Sequence, residues 1–165
     1  MCNTKTYTFM KTTKILLFFI ITWILWGLKE SISTIPNAIQ SKSLLIWLLN
    51  ATSLFTYLTL LLISFFLYQL IKTYKKQHFF DAKSVRFVRN ISFSVLVLAI
   101  LDVSNRTLFD FWSNPNTSIL GVFKDFLWKI IFISPTLLFC SILIFILADF
   151  MKKAIIVKNE NESFI

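Results

Sequence analysis

The stretch SLLIWLLNATSLFTYLTLLLISFFLYQLI, residues 43–71, decides the fold because it carries no charged side chain over more than the length of a membrane crossing. A helix that spans a bilayer needs about 20 predominantly apolar residues. Long continuous apolar runs replace the alternation that a β-barrel strand would show. Since lipid offers no hydrogen-bond partner to the backbone, residues 43–71 are predicted to form a transmembrane helix.

Three further stretches carry no charged residue: 15–28, 91–101 and 130–148. The third of these four runs in chain order, 91–101, is too short to cross a bilayer, so its span must include the polar residues that follow it. The spans are therefore predicted at 12–29, 45–71, 88–112 and 126–148. They leave no room for a separate soluble domain, and residues 1–165 are predicted to be a single membrane domain.

Basic residues lie mostly on one side of these four predicted spans. Twelve of the seventeen Lys and Arg residues fall in the N-terminal segment, in the connection 72–89 or in the tail 149–165. An excess of Lys and Arg marks the cytoplasmic side of a membrane protein. The fold class is therefore predicted to be an all-α integral membrane protein, an antiparallel four-helix transmembrane bundle with both termini in the cytoplasm.

The formal net charge of +9 first suggests a nucleic-acid partner. The surplus sits beside the predicted spans, where Lys and Arg orient insertion and attract anionic lipid head groups, at about 1 kcal/mol per residue. A partnership with the anionic inner face of the bilayer is therefore expected, and direct binding to nucleic acid is not.

The first predicted span has an alternative interpretation as a cleaved signal peptide. Lys14, the apolar run 15–28 and the small residues near Ser31 fit that pattern loosely. Two bulky residues near the end of the run, Trp23 and Trp26, argue against cleavage, and a retained span is expected.

The connection and the tail are predicted to form basic amphipathic helices at the cytoplasmic face. Asp81 is a plausible N-cap for a helix that begins at Ala82. The two helices would form either a docking surface for a soluble protein or a pair of lipid-binding surface helices. In the first case the acidic residues of the tail could pair with Arg86 and Arg89. The predicted interaction surface consists of Lys83, Arg86, Arg89, Lys152, Lys153, Glu160 and Glu162.

The third predicted span carries the sharpest cluster of charges. Asp102, Arg106 and Asp110 recur at a spacing of four, which places them on one helical face, and Asn105 lies alongside. Charges at membrane depth mark a pathway, a relay or a buried pair. A solute or ion site facing the Pro135 kink is one interpretation. The favoured one is that the charges neutralise one another at the outer, half-solvated end of the helix.

Residue types that support catalysis are sparse. His78 with Asp81 falls short of the three or four ligands of a metal site. Cys2 and Cys140 form no disulfide framework. Neither a phosphate-binding loop nor a nucleophile elbow occurs. An enzyme is not expected, nor is a metal or a cofactor.

Two segments resemble a known family. They are KKQHFFDAKSVRFVRNI, residues 75–91, and LADFMKKAIIVKNENESFI, residues 147–165. The first is similar to a pattern of Phe, a polar cap and then Lys or Arg with hydrophobic residues ahead of a third span. The second resembles a terminal stretch with Leu-Ala, an acid, a basic helix and Glu-Asn-Glu. Both are features of a bacterial family of small four-span membrane proteins, catalogued as domain of unknown function 2975.

The chain departs from the family pattern at two places. A Gly and a Pro usually precede the Phe of the connection, where this chain has His78 and Phe79. A Leu-Thr-Val type of ending is usual where it has residues 163–165.

The resemblance implies a location in the bacterial cytoplasmic membrane and no established activity. It also implies a gene neighbourhood with a small helix-turn-helix regulator. The expected function is therefore a regulatory or scaffolding membrane protein that binds a soluble partner through its cytoplasmic loop and tail. The alternative is a transporter or channel subunit for a small solute or ion, which would use the face of Asp102, Arg106 and Asp110.

Overall fold

The computed structural model describes residues 3–36, 39, 43–75, 81–114, 118–132 and 134–162. These residues are helical apart from short turns, and no strand occurs among them. Within these residues five long helices follow one another: α1 (Asn3–Ser33), α2 (Leu44–Lys75), α3 (Ala82–Ser113), α4 (Ile119–Phe132) and α5 (Pro135–Glu162).

Three of the helices are long and apolar enough to cross a membrane, namely α1, α2 and α3. The consecutive helices α4 and α5 meet at an angle of 58° and count as a fourth candidate when they are taken as one broken span. Large apolar side chains such as Phe18, Trp23, Phe55 and Phe139 are exposed along these helices. Apolar exposure on this scale suits a lipid environment and suggests a membrane protein.

The helices pack as a row with α3 at its centre. α3 contacts α2, α4 and α5, whereas α1 contacts only α2 among the helices described. Within the described residues the first helix and the last therefore do not contact each other. These contacts form an open row and do not show the predicted antiparallel four-helix bundle.

Small residues let α3 approach its neighbours closely. Its buried positions include Ser84, Val88, Ser92, Ala99, Val103 and Thr107. They recur mainly at a spacing of four, which is the pattern that brings helix backbones together in membranes. Ser92 Oγ donates to the carbonyl oxygen of Ser141 at 2.8 Å, and Ser141 Oγ donates to that of Ser92 at 2.9 Å. These reciprocal bonds hold α3 against α5 in antiparallel register.

The start of α3 packs against the second half of α5. Val88, Ala148 and Met151 form a buried cluster, and Leu70 of α2 joins its edge. α3 begins at Ala82 directly after Asp81, which occupies the N-cap position in an extended conformation but makes no side-chain capping bond. The end of the molecule that contains the start of α3 and the second half of α5 is called the basic end below.

α1 and α2 also run antiparallel, joined by a close approach and two polar contacts. A Cβ atom at Gly27 would lie 2.3 Å from Cε1 of Tyr57, so the ring packs directly on the backbone of α1. The hydroxyls of Ser31 and Ser53 lie 3.1 Å apart. Thr34 Oγ1 donates to Asn50 Oδ1 at 2.7 Å.

Proline sits at the first position of α5. There its missing N–H costs no hydrogen bond, because the first N–H groups of a helix have no intrahelical partner. The predicted fourth span, 126–148, is divided in the structure between α4 and α5. Pro135 thus marks the start of a second helix.

Candidate functional site

Five charged residues meet where α3 contacts the α4–α5 bend, and they are called the α3–α4 charge cluster below. They are Asp102, Arg106, Asp110, Asp125 and Lys129. The first three were predicted to share a helical face, and the last two come from α4. The cluster contains three carboxylates and two cations, so its formal charge is −1.

Asp102 connects α3 to the start of α5. Arg106 Nε donates to both of its carboxylate oxygens, at 3.2 Å and 3.1 Å, within the same helix. Ser134 Oγ donates to Asp102 Oδ2 at 3.0 Å. Asp102 is therefore bonded to the residue that precedes Pro135.

Asp110 faces a different partner. Lys129 Nζ donates to the carboxylate of Asp110 and to that of Asp125, the latter one turn earlier in α4. The side chain of Lys129 is only 8% exposed. A buried ammonium needs opposite charge nearby, so these two carboxylates stabilise its position and dock α4 onto α3.

Asn105 lies beside Arg106 on α3 and also contacts α2. Thr52 Oγ1 approaches Asn105 Oδ1 at 3.4 Å. With the contacts of Ser31 and Thr34 described above, polar groups therefore link α1 to α2, α2 to α3 and α3 to α4 at the same end of the helices. That end is opposite to the basic end.

A cleft of about 360 Å³ opens beside the cluster. Its lining consists of Asn105, Arg106, Phe109, Asp110 and Lys129. Because Asp102 pairs with the guanidinium of Arg106, and Lys129 pairs with the carboxylates of Asp110 and Asp125, most of this charge is neutralised within the protein. Among the side chains described, no group of three or more His, Cys, Asp or Glu could hold a metal ion.

Sequence reasoning missed Asp125 and Lys129 as members of the cluster. Their spacing of four, acid before base, is a recognised signal of a pair on one helix. Nothing local links that pair to Asp110, nineteen residues before Lys129. Only the contact between α3 and α4 unites the two sets.

Five of the seven predicted interaction residues lie at the basic end, on α3 and α5. Lys83, Arg86 and Arg89 lie on the first turns of α3, and Lys152 and Lys153 lie beside Met151 of the buried cluster. All five side chains are exposed.

The predicted pairing of Arg86 and Arg89 with the acidic tail is absent from the described part of the chain, where neither arginine forms an ion pair. Glu160 lies far along α5, near its end. The side chain of Glu162 and residues 76–80, with His78, lie outside the described residues.

α5 extends past the beginning of α3. Val88 packs with Ala148 and Met151, so in an antiparallel pair Ala82 lies level with about residue 154. The last eight residues of α5 then project by about 12 Å at 1.5 Å per residue. Ile156 and Val157 on this projection are exposed.

Long apolar helices, a seam of small residues and a charge cluster at one end define the class of this protein as a small, all-helical membrane protein. The chain belongs to the family described as Protein of unknown function (DUF2975), whose model matches residues 7–165. Comparison with curated proteins and with solved structures gives no match.

Proposed function

We propose that this protein is a regulatory or scaffolding protein of the bacterial cytoplasmic membrane that binds a soluble protein through its basic end. It crosses the membrane four times, with the α4–α5 pair as the last span and both termini in the cytoplasm. The distribution of twelve of the seventeen basic residues on that side supports the orientation.

The projection of α5 is the observation that carries this proposal. α5 is one uninterrupted helix from Pro135 to Glu162. Its last turns therefore follow the axis of the membrane-crossing part and point away from the bilayer, whereas a lipid-binding surface helix would have to turn parallel to it. Ile156 and Val157 are thus presented to water, and apolar groups in that position favour a protein partner.

The positive charges at the basic end indicate what surface the partner should present. Exposed Lys152 and Lys153 of α5 and exposed Arg86 of α3 lie at the same end of the molecule, near the buried cluster of Val88 and Met151. A soluble protein with an acidic patch next to an apolar groove fits this arrangement, because charge complementarity guides encounter and apolar anchors supply affinity. The small regulator implied by the family resemblance is one such candidate.

Affinity capture of the full-length protein through an N-terminal tag, after mild detergent extraction, tests the proposal. A stoichiometric soluble protein is expected with the native chain. The double substitution I156S/V157S should lower its recovery about tenfold, the effect of losing one apolar anchor of about 1.4 kcal/mol. L120S/F123S is the matched control, since it removes two exposed apolar side chains on α4. Equal recovery with I156S/V157S and with the control would refute the docking role of α5.

Orientation has its own test by labelling with a membrane-impermeant maleimide. Cys2 and Cys140 are first replaced by Ser, and Cys is then introduced at Glu160 or at Leu120, both of which are exposed. In intact cells L120C should react and E160C should not, and the reverse pattern would overturn the proposed topology.

A second candidate function is transport of a small ion, which the cleft lined by Arg106, Asp110 and Lys129 favours. Proteoliposomes loaded with dyes for protons and for potassium provide the measurement. Under this alternative the double variant D102N/R106Q should abolish flux without loss of folding. Unchanged flux would eliminate it, and partner capture by the same variant should stay intact under the first proposal.

A further inference from the structure

A groove of about 590 Å³ crosses the lipid-facing side of α3 near the basic end. Its walls are mainly apolar and come from three helices: Leu62 and Phe66 of α2, Phe93 and Leu96 of α3, and Ile142 and Phe145 of α5. Ser92, Ser94 and Ser141 also line it. This volume lies within the usual range for sites that bind small molecules. The groove is open along its side, so a molecule in the bilayer could enter it laterally.

The groove has a polar end. Arg89 and Asn90 line it there, one turn from the apolar wall at Phe93. Arg89 is exposed and forms no ion pair with any residue in the described ranges. Arg86, three residues earlier on α3, adds a second positive charge on the same side of the helix.

The groove is polar at one end and apolar at the other, as an amphiphilic molecule is. From Arg89 to Leu96 the lining extends about 10 Å along the axis of α3 at 1.5 Å per residue. Over this distance it changes from a guanidinium to aromatic and aliphatic side chains. A soluble solute would leave the apolar wall unmatched, and an uncharged apolar ligand would leave Arg89 without an anion.

We propose that this groove binds one anionic phospholipid, with the phosphate on Arg89 and an acyl chain along Phe66, Phe93 and Phe145. A planar guanidinium binds phosphate through two parallel hydrogen bonds, which makes it a specific head-group ligand. Such a lipid would pack between α2 and α5 and brace both of them against α3. This site does not depend on any soluble partner of α5.

Native mass spectrometry of the full-length protein in detergent micelles tests the site. Phosphatidylglycerol and phosphatidylcholine with identical acyl chains are added in equal amounts, and the lipid retained by each protein is counted. The native chain should retain phosphatidylglycerol preferentially. R89Q should reduce this retention about tenfold, as expected for the loss of a charge-assisted bond.

Two further variants distinguish lipid binding in the groove from nonspecific attraction of anionic lipid to the basic residues. K83Q removes an exposed positive charge from the same turns of α3 but does not touch the groove. It should leave retention unchanged. L62W fills the apolar wall and keeps Arg89, so it should also reduce retention, and because Leu62 is exposed the substitution is compatible with folding.

Three results would overturn the inference. They are equal losses for R89Q and K83Q, equal retention of the two lipids by the native chain, and full retention by L62W. R89K, which keeps the charge but loses the bidentate geometry, should fall between the native chain and R89Q.

Discussion

Lys129 allows a sharp test of what holds α4 against α3. Its side chain is 8% exposed, whereas those of its partners Asp110 and Asp125 are 57% and 42% exposed. The two sides of this interaction therefore differ in how well water can replace a lost partner. Removing the buried cation and removing the two exposed carboxylates should therefore lower the free energy of unfolding by different amounts.

The expected magnitudes follow from that difference. K129M removes two partly exposed ion pairs, each of which contributes about 0.5 kcal/mol, and leaves carboxylates that water can hydrate. The free energy of unfolding should therefore fall by about 1 kcal/mol. D110N/D125N leaves a buried ammonium without a carboxylate, which should cost about 3 kcal/mol, the lower end of the range for breaking a buried pair. Adding K129M to D110N/D125N should restore about 2 kcal/mol, because the stranded charge is then gone.

The assay is reversible unfolding in mixed micelles, followed by tryptophan fluorescence. Trp128, which stacks on Phe132 within α4 with ring centroids 3.9 Å apart, is one of the five tryptophans that contribute to this signal. K124M is the matched control, because Lys124 is exposed on the same helix and its loss should change the free energy of unfolding by less than about 0.5 kcal/mol. The reasoning fails if K129M destabilises as much as D110N/D125N, or if the triple variant is the least stable of the series.

Three further predictions concern the packing of the row, each measured as a free energy of unfolding in the same micelles. Gly27→Val should cost about 2 kcal/mol by overpacking against the ring of Tyr57, and Tyr57→Ala in the same chain should reduce that added cost. Ser92→Leu should cost more than Ser92→Ala, about 2 against 1 kcal/mol, because the larger side chain separates α3 from Ser141; equal costs would contradict close packing. Asp102→Asn should cost about 1 kcal/mol or less, since its arginine partner is exposed, and a loss above about 3 kcal/mol would show that this carboxylate is deeply buried.

Several features of the fold are readable from single segments. Apart from Ser43, the uncharged run 43–71 lies within one continuous helix, α2, since no alternative satisfies the backbone in lipid. Asp81 precedes the first residue of α3, where a capping residue is favoured even though its side chain makes no capping bond here. Family membership was also predictable, from residues 75–91 and 147–165, and the match over residues 7–165 confirms it.

The arrangement of the helices was not readable in the same way. A closed bundle is the simplest packing of four amphipathic helices in water, where each must bury an apolar stripe. In lipid no such force closes the row, because the acyl chains are as apolar as the side chains. Contacts then form where small residues permit them, as at Ser92 and Gly27, and α1 is left on α2 alone among the helices described.

The α3–α4 charge cluster also shows that patterns within one helix do not reveal contacts between helices. Periodicity placed Asp102, Arg106 and Asp110 on one face because residues four apart are neighbours within a helix. It could not show that Asp110 pairs with Lys129 and Asp102 with Ser134, because those partners depend on the register between helices.

The sequence by itself therefore determined the helical membrane class, the family and the charge asymmetry, all of which depend on composition and on neighbours within one segment. Only the tertiary structure decided which polar groups meet, where α5 projects and where the groove beside Arg89 opens. The physical reason is that these features arise between helices, whose register is set by close contacts such as that of Ser92 with Ser141.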